Sequence, residues 1–397
     1  MALRFSLDAQ RTEAACGAAV ALAALLGFAL ANSPEAPRYF ALIGTDFTVQ
    51  IGLFSETMSR QAWIRQGLMA VYFFLVGLEL KQEVLRGELS SPRRLALPAM
   101  AALGGMLGPA LVYLALNLRP GGSASTWPIA TASDGVLALA ALSLAGRGLP
   151  QSLKVFLRAT IVAGQLGVAV LIGLLYTGGV HMWPLAGAGL ALMGLIALSE
   201  WKDAPFLFRS AGYLLLWGFV LKSGVSTALA GLAAALTVPG TGRRPGHEAA
   251  LRNYLRTLRP YVDFGVLPLF ALTAAGVSLA GVSLQAGAPL GLAAALVIGK
   301  PVGVLAATFL AIRTGLARRP TGASWRELWG VAALTGSPLA LSLFLTGLAF
   351  APGEPMAGGL TLAAMTAALV SAVVGALTLG AAAAQRRRLR PEIDEAA

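Results

Sequence analysis

The residues best suited to chemistry in this sequence are two charges that lie inside long apolar segments. Asp134 lies early in one such segment, and Lys300 lies near the middle of another. A charge at membrane depth costs roughly 2.5 kcal/mol or more, so charges kept there are usually functional or form a buried structural pair. We therefore expect Asp134 and Lys300 to contact each other directly or through water, and we interpret them as part of an ion or substrate site.

Polar and small residues interrupt two of the apolar segments. The fourth segment carries Thr-Ala-Ser-Asp-Gly and the eleventh carries Thr-Gly-Ser-Pro, both poor in helix formers. The predicted breaks lie at Ser133, Asp134 and Gly135, and at Gly336, Ser337 and Pro338. Non-helical backbone is tolerated at membrane depth where it lines a cavity, and paired breaks in two halves of a chain indicate a transporter binding site. The alternative is a polar patch and a proline kink without a functional role.

Composition sets the class of protein that must position these residues. Of the 397 residues, 57% are apolar and 12% are charged, whereas a soluble domain has roughly 25% charged residues. Apolar segments long enough to cross a hydrocarbon core recur from one end of the chain to the other. This pattern excludes a soluble enzyme and predicts an all-α membrane protein with about twelve transmembrane helices.

The predicted segments share a length close to that of a membrane span and are separated by short loops. They run approximately over residues 14–31, 67–80, 95–116, 129–145, 155–176, 184–198, 206–221, 223–238, 262–282, 290–312, 328–350 and 356–379. Lys222 and Ser223 alone mark the boundary between the seventh and eighth segments.

The distribution of basic residues predicts the orientation. When both termini are placed in the cytoplasm, most arginines and lysines fall in cytoplasmic loops, and only Arg38, Arg60, Arg65 and Arg119 fall outside. The net charge of +12 is therefore a topology signal and not a sign of nucleic-acid binding. We expect one polytopic transporter domain over residues 1–397 in a bacterial inner membrane, with a short basic-then-acidic cytoplasmic tail at residues 386–397.

The sequence indicates neither a metal centre nor a cofactor. Cys16 is the only cysteine, and the two histidines, His181 and His247, lack the spacing of metal ligands. The sequence contains no nucleophile elbow, zinc helix motif or nucleotide loop. We therefore expect a protein that is not an enzyme and whose main partner is the lipid bilayer.

Five blocks of sequence, in order along the chain, resemble the NhaA family of bacterial sodium/proton antiporters. They are residues 73–89 (FFLVGLELKQEVLRGEL), 97–117 (LPAMAALGGMLGPALVYLALN), 221–231 (LKSGVSTALAG), 266–279 (VLPLFALTAAGVSL) and 298–303 (IGKPVG). The resemblance covers nearly the whole chain and implies inverted repeats, in which segments four and eleven are discontinuous helices that cross. It also implies exchange of Na⁺ or Li⁺ for H⁺.

The fifth segment departs from the family. Its stretch LKVFLRATIVAGQLGV, residues 153–168, has Gly164 and Gln165 where the family has two adjacent aspartates. The resemblance makes the second aspartate the sodium ligand and proton carrier, and associates the first with the lysine that is here Lys300. Asp134 is retained, after Ser133 where the family usually has threonine. A glutamine amide supplies an oxygen but no charge, and it cannot exchange a proton near neutral pH.

Charged residues at the ends of several segments are expected at the cytoplasmic entrance to the site. These residues are Glu79, Glu83, Arg158, Arg256 and Arg259. Arg256 and Arg259 stand where the family has histidines, and Arg158 should add positive potential because it lies seven residues before Gln165 on the same helix face.

The first external loop contains a candidate strand pair. The stretch from Asp46 to Phe54 (DFTVQIGLF) alternates and is rich in β-formers, which indicates either a small hairpin or an ordinary loop. If the hairpin forms, we expect it to be the contact of a homodimer.

Three functions are compatible with these residues. The first is a cation/proton antiporter with Asp134 and Lys300 as its charged pair. The second is a transporter of the same fold that carries an anionic or neutral solute on Lys300, Gln165 and the N-termini of the half-helices. The third is a transport-inactive membrane protein that senses or scaffolds, because a fold alone does not determine function.

Overall fold

The computed structural model describes residues 2–51, 54–118, 123–146, 148–201, 206–240, 247–280, 287–351 and 353–394. Within these ranges the chain is almost entirely helical, and the strands form one two-stranded sheet. The predicted all-α membrane fold is confirmed.

Up to Thr237, the described part of the chain contains ten α-helices, one π turn, one 3₁₀ helix and the two-stranded sheet. They are α1 (Ala2–Ala31), α2 (Ala36–Gly44), β1 (Asp46–Ile51), β2 (Phe54–Ser59), α3 (Arg60–Trp63), a π turn (Ile64–Leu68), α4 (Met69–Arg86), α5 (Pro92–Asn117), a 3₁₀ helix (Ala124–Thr131), α6 (Val136–Ala145), α7 (Gln151–Leu175), α8 (Met182–Glu200), α9 (Phe206–Ser223) and α10 (Thr227–Thr237).

The second half is helical throughout its regular structure. Its elements are α11 (His247–Tyr261), a π turn (Val262–Val266), α12 (Leu267–Ala274), α13 (Gly287–Ala294), a π turn (Ala295–Gly299), α14 (Lys300–Arg313), α15 (Trp325–Thr335), α16 (Leu339–Ala349) and α17 (Pro355–Asp394). Each π turn continues directly into the helix that follows it, so α14 begins at Lys300 without a loop.

Seven helices in the described ranges are long and apolar enough to cross a membrane, or eight when the 3₁₀ helix and α6 count as one bent span. Four further predicted segments coincide with α4, α9, α10 and α12, which are shorter or more polar. All twelve predicted segments therefore contain helix. The exact number of membrane crossings stays a prediction.

Several predicted boundaries shift. The seventh segment ends beyond Lys222, since α9 includes Ser223 and the turn into α10 is made by Gly224, whose φ of 80° is unfavourable for other residues. The ninth segment ends at Ala274 and not near residue 282. The predicted hairpin is present, and its second strand extends to Ser59.

The chain divides into two compact units. The first comprises Met1–Leu25, Glu88–Val168 and Val277–Ala397, and the second comprises Leu26–Gly87 and Ala169–Gly276. In the first unit α14 packs on α5 and α15 packs on α17. In the second unit α10 packs on α4, and α9 packs on α8.

Glycines bring α5 and α14 into backbone contact. A Cβ atom at Gly104 would overlap the carbonyl oxygen of Gly303 and lie 2.5 Å from the Ala307 Cβ, and one at Gly108 would lie 2.7 Å from the Gly303 Cα. Small residues at this spacing permit close approach of membrane helices. The contact fixes α14, and with it Lys300, against α5.

We expect Gly104→Ala to destabilise the protein, because the added methyl group has no space and overpacking costs roughly 1–3 kcal/mol. Gly194→Ala on α8 is the matched control, since nothing lies within 4 Å of a Cβ at that helical position. Thermal unfolding in detergent should show a lower Tm for Gly104→Ala and an equal or higher Tm for the control. Equal shifts in the two variants would contradict the packing argument.

Candidate functional site

The fourth segment is broken as the sequence predicts. The 3₁₀ helix ends at Thr131, α6 begins at Val136, and the two axes differ by 43°. The residues between them are buried, with Ser133 7% and Asp134 1% exposed. The break therefore places irregular backbone in the interior of the first unit, where its polar groups need partners.

The eleventh segment is broken in the same way. α15 ends at Thr335 and α16 begins at Leu339. Hydroxyl groups donate hydrogen bonds to carbonyl oxygens in the last turn of α15. The Ser337 Oγ, for example, donates to the Leu334 oxygen at 2.7 Å. Pro338 has no N–H to leave unsatisfied, and it ends the interruption just before α16. Gly336, the remaining predicted break residue, lies where a Cβ would be 2.7 Å from the Ser371 Oγ.

Asp134 joins the two breaks. One oxygen of its carboxylate accepts a hydrogen bond from the Val136 N–H at 3.3 Å, and the other accepts from the Leu341 N–H at 2.9 Å. These N–H groups belong to the first turns of α6 and α16, where helix donors are otherwise unsatisfied. A carboxylate at a helix N-terminus is also stabilised by the helix dipole. One buried anion thus holds the starts of two half-helices.

Lys300 binds the C-terminal end of the 3₁₀ helix. Its ammonium nitrogen donates to the carbonyl oxygens of Thr131, at 3.4 Å, and of Ala132. These carbonyls end the 3₁₀ helix, where the dipole is negative. Lys300 is only 2% exposed, so the backbone contacts replace the water that its charge would otherwise bind.

The predicted contact between Asp134 and Lys300 takes a different form from a direct ion pair. Within the described ranges no direct ion pair joins the two residues, although their charges attract each other electrostatically. Both bind the backbone of the same break, on either side of Ser133. The physical reason is that each charge is matched to the nearest unsatisfied backbone groups of opposite polarity.

The fifth-segment residues lie on α7. Gln165 is buried at 5% exposure, and Gly164 packs on the fourth-segment break. A Cβ at Gly164 would lie 2.6 Å from the Ser133 Oγ and 2.9 Å from the Ser133 Cβ. The absence of a side chain at Gly164 therefore lets Ser133 sit against α7. Ser133, Asp134, Gly164 and Lys300 are brought to one break, with Gln165 next along α7.

Glu13 is a residue of this region that the sequence reasoning missed. It accepts hydrogen bonds from Ser143 at 2.5 Å and from Lys154 at 2.7 Å, and it forms an ion pair with Arg158. Its side chain is 13% exposed. The carboxylate on α1 reduces the positive potential predicted for Arg158, although Lys154 and Arg158 together still exceed Glu13 by one positive charge. The available signal was an acid directly before an apolar run that begins at Ala14.

The other predicted entrance residues lie in the second unit. Glu79 on α4 forms an ion pair with Arg259 on α11. Arg256 is exposed on α11. Glu83 lies in α4, and its carboxyl group packs against Gly87, where a Cβ atom would come within 2.6 Å of the carboxyl carbon. No cluster of histidine, cysteine, aspartate or glutamate that would hold a metal ion occurs among the described residues.

Comparisons with known proteins agree on one family. A sequence profile of the family described as Na+/H+ antiporter 1 matches residues 8–379. The chain is 40% identical to the Na(+)/H(+) antiporter NhaA of Pseudomonas fluorescens, over 85% of this chain and 86% of that protein. It is 44% identical to Na(+)/H(+) antiporter NhaA 2 of Pseudomonas savastanoi pv. phaseolicola, over 85% and 84% of the two chains. It is 43% identical to Na(+)/H(+) antiporter NhaA of Bordetella parapertussis, over 85% and 87%.

Glu13→Gln should lower the unfolding free energy by about 2 kcal/mol, because it leaves Lys154 and Arg158 without the carboxylate that compensates them in a partly buried place. The matched control is Glu35→Gln, which breaks an exposed ion pair with Arg38 on α2 and should cost about 1 kcal/mol or less. Unfolding in detergent measures both. An equally small effect of the two substitutions would mean that the Glu13 cluster does not hold α1, α6 and α7 together.

Proposed function

Because the chain belongs to the NhaA family of sodium/proton antiporters, we propose that it exchanges one monovalent cation for one proton, with Asp134 as the group that binds each in turn. Antiport by a shared site needs a carboxylate that holds either a proton or the metal ion. The observation that carries this proposal is the buried carboxylate of Asp134 at the crossing of two broken helices.

The carboxylate of Asp134 has remaining capacity to coordinate a ligand. Its oxygens accept hydrogen bonds from the Val136 and Leu341 N–H groups, and the Ala340 N–H also interacts with them, whereas a carboxylate offers about four lone-pair sites. Sodium prefers hard oxygen ligands together with compensating negative charge. The hydroxyl of Ser133 and the amide oxygen of Gln165 supply the neutral oxygens, and Asp134 supplies the charge. Li⁺ has the same preference for hard oxygens and is a proposed second substrate.

The number of carboxylates limits the coupling. Gly164 and Gln165 replace the two aspartates of the family, so the site has one acid where its relatives have more. One acid carries one proton per cycle, and one cation leaves in exchange. We therefore expect the electrogenic exchange that the resemblance implies to be lost, and any retained exchange to be electroneutral and weak.

The anion alternative loses its proposed binding groups. An anion carrier of this fold would use the N-termini of the half-helices, but those of α6 and α16 already donate to Asp134. Lys300 is likewise engaged with backbone carbonyls. This arrangement favours a cation at the carboxylate over an anion at the helix ends.

The decisive experiment is sodium flux driven by a pH gradient in proteoliposomes, with and without a clamp on the membrane potential. Wild type should show weak flux that does not respond to the potential, and Asp134→Asn should abolish it. Gln165→Asp should strengthen sodium flux, whereas Gln165→Asn, of the same size without the charge, should not. Robust potential-driven exchange by wild type would refute the coupling proposal, and absence of flux in every variant would favour a transport-inactive protein.

Restoring both aspartates needs one accompanying change. A side chain at position 164 would collide with Ser133, so Gly164→Asp is best combined with Ser133→Gly as well as Gln165→Asp. Potential-driven exchange that arises only in this triple variant would show that the scaffold is intact and that the lost charges account for the difference from the family.

We further propose that both termini face the cytoplasm of a bacterial inner membrane and that the β1–β2 hairpin is the contact of a homodimer. The strands are exposed and open-edged, which suits pairing with a second copy. In a Cys16→Ser background, Gln50→Cys should react with an impermeant maleimide on intact cells and should form a disulfide-linked dimer. Arg252→Cys on α11 should do neither. The reverse labelling would overturn the orientation, and absence of crosslinking at Gln50 and its neighbours would overturn the dimer contact.

A further inference from the structure

A cleft of about 970 Å³ lies within the first unit, and its lining does not include the residues of the Asp134 break. It is formed by the beginning of α5, the beginning of α7 and the loop that follows α14. All three places are ends of helices that are long and apolar enough to cross a membrane, which would put the cleft at the level where the bilayer meets water. In the orientation proposed above, this is the cytoplasmic side.

Four arginines line the cleft. Arg93 and Arg94 come from the first turn of α5, and Arg318 and Arg319 come from the loop after α14. All four are exposed, and within the described ranges none forms an ion pair with a carboxylate. Glu88 is the one acid in the lining, which leaves three excess positive charges. Clusters of guanidinium groups without carboxylate partners commonly bind phosphate through bidentate hydrogen bonds.

The start of α5 has the wrong charge for its own stability. Its first turn contains two arginines and no acidic residue, although a helix N-terminus favours negative charge. An anion in the cleft would relieve this unfavourable placement. The same anion would compensate Arg318 and Arg319 from the opposite wall.

The remaining walls are apolar. Leu97 and Phe156 lie at the base of the cleft and are buried in the core, whereas Val155 and Leu316 are 40% and 57% exposed beside the arginines. Inorganic phosphate has no apolar part that could contact these side chains. The headgroup and first methylenes of a phospholipid match both the arginines and the apolar walls.

We propose that this cleft binds the phosphate group of an anionic phospholipid, with Arg93, Arg94, Arg318 and Arg319 around the headgroup. The bound lipid links α5, α7 and the loop after α14, and so stabilises the unit that contains Asp134 and Lys300. The proposal is independent of whether the protein transports sodium.

The test is lipid binding by the full-length protein in detergent, followed by native mass spectrometry and thermal unfolding, with phosphatidylglycerol, phosphatidylcholine and inorganic phosphate as probes. Two double variants are compared with wild type. One is Arg93→Gln with Arg94→Gln, the other is Arg318→Gln with Arg319→Gln, and a fourfold variant combines them. Each basic residue near a membrane surface contributes roughly fivefold to binding. We therefore expect phosphatidylglycerol to bind at least about tenfold more weakly to the double variants, and its effect on Tm to be lost.

Arg252→Gln with Arg388→Gln is the matched control, because both residues are exposed, neither lines the cleft, and the charge change equals that of a double variant. It should bind phosphatidylglycerol as wild type does. Unfolding in phosphatidylcholine alone checks that each variant is folded. The corresponding lysine variants keep the charge but not the bidentate geometry, so they should recover only part of the binding. Equal losses in cleft and control variants, or binding of inorganic phosphate without preference for phosphatidylglycerol over phosphatidylcholine, would overturn the proposal.

Discussion

The first unit depends on the neutralisation of broken helix ends. Two interrupted helices leave backbone donors and acceptors inside the protein, where each unsatisfied group is costly. Asp134 takes the donors of two helix starts, and Lys300 takes the acceptors of one helix end. The irregular backbone, the burial of both charges and the position of α14 all follow from this arrangement. The free-energy cost of burying each charge is offset because the charge binds backbone groups that would otherwise lack hydrogen bonds.

The same arrangement explains why the departure on α7 is tolerated. The charges that support the breaks lie on the fourth and tenth segments, and Gly164 and Gln165 take no part in the hydrogen bonds of Asp134 or Lys300 described above. Loss of the aspartate pair therefore leaves the crossing intact, and Ser133 fills the space that opens at Gly164.

Much of the fold was predictable because membrane burial leaves a simple signal in sequence. Apolar runs located all twelve helical segments, and Ser133 to Gly135 and Gly336 to Pro338 marked real breaks because they lack helix formers. Partners were harder to predict. The sequence suggested that Asp134 and Lys300 attract each other but not that backbone groups would bind both. Glu13 was missed because α1 continues to Ala2, well before the apolar run from which the first segment was predicted.

The π turn at Ala295–Gly299 has a consequence for how the position of Lys300 is specified. A π turn holds one more residue than the α-helical turn it replaces, so every side chain after it is displaced around the axis by about 100°. Lys300 is the first residue after this turn. Its direction toward Thr131 and Ala132 is therefore encoded by the length of the preceding segment as much as by the lysine itself. Loss of a single residue anywhere in that turn would therefore turn Lys300 away from these carbonyls even though the lysine itself is kept.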